Sequence, residues 1–318
     1  MGYKNIIEIL NNSGKNTTFL EIEGQKISYK DFSLNVRKLC GLFQNYGLKQ
    51  GDKVVVATKT DYDTIVFFFS LLCYGITAVL TDINTNPQRA EAIIEQVEPS
   101  GFIVEEYLVD RWNINTTDKF FLILKDKPKK SALFRKLLGK KDPENSENSG
   151  TYPNIMDSLI PIESLPADIN EETLAYILFT SGTTSDPKGV MISHKNLFSH
   201  LETLSKFYKL NSQANILNNL MLYHADGIIQ GPVLAAYNGA TLIRPIEQFD
   251  INKIGDLFNA IYKYRISHFF VVPTILSLMY KFSEGYEDSF ITDDFKFIIS
   301  VSAHIEKDLW EIFEKKFN

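Results

Sequence analysis

Cysteine is almost absent from this sequence, since Cys40 and Cys73 are the only two among 318 residues. Neither stands in a spacing typical of a metal or redox motif. His194, His200 and His268 also form no metal-ligand spacing with a nearby Cys, Asp or Glu. The sequence therefore predicts no structural metal, and its few thiols favour a reducing, cytoplasmic location.

A strong charge of either sign is missing as well. The net charge is −6, from 33 Lys and Arg against 39 Asp and Glu, so nothing attracts the whole chain to nucleic acid or to an anionic membrane. The amino-terminal residues MGYKNIIEIL lack the architecture of a signal peptide. We therefore expect neither nucleic-acid nor membrane binding.

Apolar runs long enough to span a bilayer are also lacking. The most apolar segment runs from Thr64 to Leu80, which is shorter than the roughly 20 residues that a spanning helix needs. Gly75 divides it into a helical piece and a β-branched piece. This pattern predicts a buried helix followed by a buried strand.

Helical and strand patterns alternate along the rest of the chain. Apolar residues at helical spacing in ISYKDFSLNVRKLCGLF precede the apolar strand pattern DKVVVAT, and a helix is predicted to start near Asn86-Pro87. The second half repeats this rhythm, with strand patterns in NILNNLMLY, ATLIRP, SHFFVVP and FKFIISV. Such alternation predicts an α/β fold with two lobes of mostly parallel sheet and flanking helices. We place the lobes at residues 1–170 and 171–318.

A charged insertion separates the two patterns. Residues 125–150, KDKPKKSALFRKLLGKKDPENSENSG, are basic, then polar, and end in glycine. The composition predicts a solvated, mobile loop. An alternative is that SALFRKLLGKK forms a basic amphipathic helix that touches a membrane or a partner.

A loop rich in hydroxyl groups joins two further strand patterns, LAYILF and GVMIS. It ends in a cation, Lys188, and Gly182 allows successive backbone N–H groups to converge on one point. A polyphosphate is the ligand that suits such donors, although a plain polar turn has a similar composition. The P-loop motif is excluded because Gly189, and not Ser or Thr, follows the lysine. The candidate donors are Thr180, Ser181, Gly182, Thr183, Thr184 and Lys188.

The segment TSGTTSDPKGV resembles the phosphate-loop signature of adenylate-forming enzymes. These are acyl-CoA and aryl-CoA synthetases, luciferases and the adenylation domains of peptide synthetases. The resemblance covers nearly the whole chain. It includes the segments ISYKDFSLNVRKLCGLFQNYGLKQGDKVVV, LLCYGITAVLTDINTNPQRAEAIIEQVEPSGFIV, LMLYHADGIIQGPVLAAYNGATLI, FFVVPTILSLM and FKFIISVSAHIEKDLWEIFEKKF.

The sequence also departs from the family pattern. Ser185 replaces a usual glycine in the phosphate loop, Met221 stands where proline is common, and residues 301–305 replace Gly-Gly-Ala-Pro-Leu. The chain stops before the family's Mg²⁺-binding glutamate, its ribose-binding aspartate and its small C-terminal domain with the catalytic lysine. The resemblance therefore implies a large N-terminal domain that is inactive alone.

The resemblance implies a two-step reaction. A carboxylate attacks the α-phosphorus of ATP to give an acyl-adenylate and pyrophosphate, and a thiol of CoA or of a carrier protein then takes the acyl group. ATP and Mg²⁺ are the implied cofactors, and positioning with charge neutralisation would carry the first step. The phosphate-loop residues would hold the β- and γ-phosphates. The residues implied beside the adenine are Ser302, Ala303 and His304.

The same resemblance places His224 at the mouth of the acid pocket, where it would orient the carboxylate or gate the pocket. It would not act as a base, since a carboxylate is already ionised at pH 7. A mostly apolar pocket suits a fatty or aromatic acid. Asp226 keeps an amino acid as an alternative substrate, and a non-catalytic binding module is another alternative. The expected pocket residues are Tyr223, Ile228, Gly231, Val272 and Pro273.

Overall fold

The computed structural model describes residues 2–11, 16–125, 149–152, 156–166, 168–179, 187–247 and 251–317. The chain forms two compact units, each with its own sheet. The six-strand unit consists of Met1–Leu34, Thr60–Ile65 and His194–Asn318, and the seven-strand unit consists of Asn35–Lys59 and Val66–Ser193. The lobe boundaries expected from the sequence stay a prediction.

The part of the chain up to residue 193 contains the elements of the seven-strand sheet and two strands of the other sheet. In chain order they are α1 (Gly2–Asn11), β1 (Thr18–Ile22), β2 (Gln25–Ser28), α2 (Tyr29–Asn45), β3 (Lys53–Ala57), α3 (Asp61–Tyr74), β4 (Thr77–Leu80), α4 (Pro87–Val97), β5 (Gly101–Glu105), α5 (Glu106–Arg111), β6 (Phe120–Leu124), β7 (Ser149–Tyr152), β8 (Leu174–Phe179) and β9 (Gly189–Ser193).

The second half contributes α6 (His194–Phe207), β10 (Asn215–Asn218), α7 (Ala225–Ile228), a π-helical turn (Ile229–Val233), α8 (Leu234–Asn238), β11 (Thr241–Arg244), a 3-10 turn (Ile251–Lys253), α9 (Ile254–Lys263), β12 (His268–Val271), α10 (Pro273–Lys281), β13 (Phe297–Ser300) and α11 (Lys307–Phe317).

The seven-strand sheet has the order β7-β6-β5-β3-β4-β8-β9. Its neighbouring strands are parallel except for the antiparallel pair β8–β9. Apolar side chains from alternate strand positions and from α4 and α5 form the core on one face, including Val55, Val79, Phe102, Val104 and Trp112. Because both faces of a parallel sheet are covered, the central strands β3, β4 and β5 are buried except at Lys53, as the apolar runs predicted.

The six-strand sheet has the order β13-β12-β10-β11-β1-β2, and only β1–β2 is antiparallel. A core cluster joins these strands to α9, α10 and α11, with Leu217, Ile243, Phe258, Phe269 and Val271 at its centre. The observed architecture is an α/β fold with two mostly parallel sheets and flanking helices. The predicted fold class is therefore confirmed.

Several local predictions are also confirmed. Helix α4 begins where it was expected, because the Asn86 side chain accepts a hydrogen bond of 2.8 Å from the Arg89 N–H and Pro87 occupies the first turn. The apolar segment Thr64–Leu80 forms the buried part of α3 and the buried strand β4. None of the helices in the described parts of the chain has the length and apolar character that crossing a bilayer requires.

Other elements differ from their predicted extent. The strand expected over NILNNLMLY ends at Asn218, and the apolar segment after it contains a π-helical turn with Pro232 inside. Helix α9 begins at Ile254, directly after the 3-10 turn Ile251–Lys253. Most of the charged insertion, residues 126–148, lies outside the described residues, so both hypotheses about it stay open.

Candidate functional site

The carboxyl ends of three parallel strands lie next to one another in the six-strand sheet. Strand β12 pairs with β10 on one side and with β13 on the other, with Phe270 in register with both Asn218 and Ile299. The segments that follow these strands therefore start at the same sheet edge. Open α/β sheets bind ligands at this edge. The predicted site residues on these segments are Tyr223, His224, Val272, Pro273, Ser302, Ala303 and His304.

Asn218 turns the chain away from the sheet at the end of β10. Its side chain is fully buried, donates a hydrogen bond of 2.8 Å to the Asp226 carbonyl and accepts one of 3.0 Å from the Leu220 N–H. An amide side chain is suited to this role because it offers a donor and an acceptor at once. These bonds end the strand and begin a loop of residues 219–224, which we call the acid-side loop.

Arg244 holds the start of the acid-side loop from the neighbouring strand β11. Its guanidinium donates hydrogen bonds of 2.7 Å to the Asn218 carbonyl and 3.0 Å to the Leu220 carbonyl. The Nε–H donates to Asp61 Oδ2 at 2.6 Å, and only 2% of the side chain is exposed. The sequence patterns gave no indication of this residue, because its partners lie far away along the chain.

The Asp61 carboxylate contacts this guanidinium, and the Glu247 carboxylate contacts the backbone of Asp61. Burial raises the pKa of Asp61, while Arg244 opposes that shift and Glu23 adds to it. The Glu247 carboxylate accepts a hydrogen bond of 3.1 Å from the Asp61 N–H, and burial is also the main cause of its raised pKa. The buried cation is thus neutralised by an aspartate that carries its own desolvation cost.

Gly227 brings helix α7 directly against the acid-side loop. A Cβ atom at this position would lie 2.6 Å from the Met221 carbonyl carbon and 3.0 Å from the Leu220 oxygen, and it would clash with the Met221 oxygen as well. The obstructing atoms belong to the backbone and cannot rotate away. The glycine that follows the histidine by three residues therefore has a steric reason in this structure.

His224 lies at the amino end of α7 with its side chain exposed. Its N–H donates to the Met221 carbonyl at 3.0 Å, and its own carbonyl accepts from the Gly227 and Ile228 N–H groups at 3.1 Å each. The ring lies 4.7 Å from the Tyr223 ring, measured between centroids. Its backbone is thus fixed by three residues of one short segment, Met221, Gly227 and Ile228, while the imidazole remains open to a ligand.

Asp226 connects the acid-side loop with the segment after β13. Its two carboxylate oxygens accept short hydrogen bonds, one from the Gln230 side-chain amide and one from the Ser302 hydroxyl. Ser302 has a φ of 68°, in the left-handed region that costs a residue with a side chain of the order of 1 kcal/mol. The sequence singled out Asp226 and Ser302 separately, but it could not show that they touch.

The predicted pocket residues differ in their burial. Ile228 and Gly231 are buried, and a Cβ atom at Gly231 would lie 3.4 Å from the Asn218 side chain at the end of β10. Tyr223, Val272 and Pro273 are partly exposed. A cavity of about 1240 Å³ in the same unit is lined by other residues, including Ile298, Trp310 and Phe313. The assignment of an acid pocket therefore stays a prediction.

The predicted phosphate loop follows strand β8 in the seven-strand sheet. Its flanking strands form the expected hairpin, with Phe179 in register with Gly189. Lys188 is exposed and follows the buried Pro187. The loop residues themselves lie outside the described part of the chain, so the arrangement of their donors stays a prediction. They are Thr180, Ser181, Gly182, Thr183 and Thr184.

The part of the chain that the structure describes contains no group of three or more His, Cys, Asp or Glu residues placed to hold a metal ion.

Comparison with known proteins defines the class of this protein. The profile of the family described as "AMP-binding enzyme" matches residues 9–318. An uncharacterised acyl-CoA ligase of Bacillus subtilis is 25% identical over 297 residues, which are 91% of this chain and 51% of that protein. Gramicidin S synthase 2 of Brevibacillus brevis is 24% identical over 258 residues, which are 80% of this chain and 5% of that protein.

Solved structures show the same fold. The ATP-bound structure of MatB from Rhodopseudomonas palustris superposes with a TM-score of 0.80 at 19% identity, covering 99% of this chain and 58% of that protein. The chain belongs to the AMP-binding enzyme family. It spans about half the length of the acyl-CoA ligase that it matches.

Proposed function

We propose that the protein of which this chain forms at least a part activates a carboxylic acid with ATP and passes the acyl group to a thiol. In the first step a carboxylate oxygen bonds to the α-phosphorus, and the bond from that phosphorus to the pyrophosphate oxygen breaks. In the second step the sulfur of a thiol, having lost its proton, bonds to the acyl carbon and AMP leaves. The thiol belongs to CoA or to a carrier protein.

The observation that carries this proposal is the hydrogen bond between Asp226 and Ser302. An acyl-adenylate contains an acid part and an adenine part in one molecule, so its binding site needs both parts to be recognised close together. By family resemblance, Asp226 lies on the acid side and Ser302 on the adenine side. Their contact at the carboxyl edge of the sheet supports a single continuous site.

We assign the roles as follows. His224, with an exposed imidazole and a fixed backbone, orients the acid carboxylate or gates its entry. Lys188, which is exposed, neutralises phosphate charge together with the hydroxyl-rich loop before it. ATP would be bound with Mg²⁺, which supplies additional charge neutralisation. The segments beside the adenine carry Ser302, Ala303 and His304.

We infer that the acid is fatty or aromatic. The support is the apolar character of the proposed pocket residues, among which Ile228 is fully buried. Histidine at position 224 also offers no carboxylate to pair with an α-amino group. An amino acid is the second candidate, because the Asp226 carboxylate lies two residues further along and gramicidin S synthase 2 is among the relatives.

The proposal is tested by acid-dependent exchange of labelled pyrophosphate into ATP. The natural full-length protein is assayed with a panel of fatty, aromatic and amino acids, beside a Lys188→Ala variant. Exchange with one class of acid, and its loss or strong reduction in the variant, is the expected result. This assay reports the first step alone and does not depend on which thiol is the acceptor.

Two outcomes would count against the proposal. A folded full-length protein that binds ATP and exchanges with no acid of the panel would remove the support for the assigned acids. A folded protein that neither binds ATP nor catalyses exchange would favour a non-catalytic binding module of the same fold.

A further inference from the structure

Arg244 is a buried cation whose contacts end at the candidate site. A guanidinium that loses water must be paired with charge and hydrogen-bonded, or its burial opposes folding. Here the Nε–H of the group donates to Asp61 Oδ2 at 2.6 Å, and its two terminal nitrogens donate to the carbonyls of Asn218 and Leu220. The side chain thus contacts the backbone on both sides of Asn219.

Those two carbonyls belong to the chain where it leaves the sheet. Pairing between β10 and β12 reaches Asn218 and does not continue to Leu220. Buried carbonyls beyond a strand end need other donors. Arg244 supplies them from the adjacent strand, and the planar guanidinium fixes both at once, which a lysine ammonium cannot do with the same geometry.

At the far end of the acid-side loop, short-range hydrogen bonds fix the backbone of His224. The His224 N–H donates to the Met221 carbonyl, and the His224 carbonyl accepts from Gly227 and Ile228. These bonds place His224 only if Leu220 and Met221 are themselves fixed. Upstream of them, Arg244 binds the carbonyls of Asn218 and Leu220, and the Asn218 side chain binds the Leu220 N–H. The Asn219 side chain also makes two hydrogen bonds with the Ile246 backbone, which help to hold the same stretch.

We propose that Arg244 is a positioning residue, which sets the acid-side loop so that Tyr223 and His224 face the carboxylic acid. This inference rests on the proposed function. Arg244 does not touch the acid itself, and it acts through the backbone of residues 218–220. Asp61 orients the guanidinium and balances its charge.

A pair of variants separates this role from a general contribution to stability. Arg244→Met keeps an unbranched side chain that fills part of the same space, but it leaves Asp61 buried without its cation and the two carbonyls without the donors that Arg244 supplies. The double variant Asp61→Asn/Arg244→Met removes the uncompensated charge as well, but it does not restore the donors to the carbonyls. Fold stability and loop position should therefore respond differently. Arg265→Met is the matched control, since Arg265 makes an exposed ion pair with Asp294 at 2.7 Å.

The experiment uses the natural full-length protein and measures three quantities in each variant. These are the melting temperature, the hydrogen exchange of backbone amides, and the KM for acid and for ATP in pyrophosphate exchange. We expect the double variant to regain most of the melting temperature that Arg244→Met loses. In both Arg244 variants the amides of His224, Gly227 and Ile228 should exchange about tenfold faster or more, while those of β12 stay unchanged.

The kinetic expectation follows from the same geometry. The KM for acid should rise about tenfold or more in both Arg244 variants, with the KM for ATP changing less than about twofold. Arg265→Met should match the wild type in all three measurements. Wild-type amide exchange at residues 224–228 in the double variant, or a KM for acid that recovers with the melting temperature, would overturn the proposal.

Failure of the proposed function gives a different result. If the wild-type protein exchanges pyrophosphate with none of the acids, that result counts against the proposed function and says nothing about the role of Arg244. The amide exchange of His224, Gly227 and Ile228 then decides whether Arg244 positions the loop.

Discussion

Gly227 permits a close approach that no other residue type allows. Helix α7 lies so near the backbone of Leu220 and Met221 that a methyl group at position 227 would overlap with carbonyl atoms of both. Backbone atoms cannot move aside as a flexible side chain can. The acid-side loop and α7 therefore depend on each other for their positions.

Gly227→Ala is accordingly expected to destabilise the protein by about 1–3 kcal/mol, the usual range for overpacking in a closely packed region. The measurement is urea unfolding followed by circular dichroism. Gly231→Ala is the stability control, because the added methyl would meet the Asn218 side chain at an ordinary 3.4 Å. Equal stability of Gly227→Ala and the wild type would show that α7 can shift away from the loop.

Strand β12 carries a buried histidine whose charge depends on the fold. His268 Nε2 lies 2.8 Å from the Tyr208 carbonyl, which can only accept, so this nitrogen carries the hydrogen. Nδ1 lies 2.8 Å from the Ser267 hydroxyl. Burial lowers the pKa of His268; the Tyr208 carbonyl opposes this shift and Lys296 adds to it. The folded protein therefore favours the neutral ring.

The stability of the protein should fall on acidification for this reason. Below about pH 6.5, the ordinary value for an unfolded histidine, the unfolded chain binds a proton that the folded chain resists. The contribution of neutral His268 is complete above that pH and is lost as the pH falls toward the lower folded pKa. We expect His268→Gln to lose less stability than the wild type between pH 7.5 and 5.5 in urea unfolding.

His200→Gln serves as the control for this measurement, because His200 is exposed on α6. It should follow the wild-type dependence on pH. Equal losses of stability in the wild type and in His268→Gln would contradict the lowered pKa of His268. They would mean that His268 takes up its proton equally in the folded and the unfolded state.

The secondary structure elements differ in how far local sequence determines them. Helix α4 is predictable because Asn86 and Pro87 are local capping signals, and α3 and β4 are predictable because their apolar run is divided at Gly75. Strand β10 is shorter than its apolar pattern because the Asn218 side chain bonds to Asp226, eight residues away. The antiparallel β1–β2 hairpin had no apolar run to mark it, since β2 is largely exposed.

The candidate site likewise combines residues that local motifs predict with contacts that they do not predict. His224, Asp226 and Ser302 can each be named from short motifs, since every motif is local. The hydrogen bond between Asp226 and Ser302 joins residues separated by 76 positions, and the pair Arg244–Asp61 joins residues separated by 183. Contacts of that kind depend on the order of strands in the sheet, and this order cannot be read from the spacing of residues in the sequence. Arg244 consequently escaped prediction, although its strand did not.

At the scale of the whole molecule, both cysteines lie inside the core of the seven-strand unit. Cys40 and Cys73 have no exposed surface, and the Cys40 thiol contacts the Ser70 carbonyl at 3.5 Å. Burial raises the pKa of both thiols, and Cys73 adds to the shift of Cys40. The thiolate is the reactive form of cysteine. In the folded state a reagent cannot reach these two thiols, and their raised pKa values disfavour the thiolate.

Thiol labelling should therefore report unfolding of the protein. With Ellman's reagent at pH 8 we expect neither cysteine of the folded protein to react on the timescale of an exposed thiol. In denaturing urea both should react, which is the full cysteine content of the sequence. At intermediate urea the labelling rate should follow the population of opened molecules, since reaction requires the core to open.

A Ser199→Cys variant, changed at an exposed position of α6, supplies one rapidly reacting thiol as a positive control. Rapid labelling of the folded wild type would contradict the burial of these side chains.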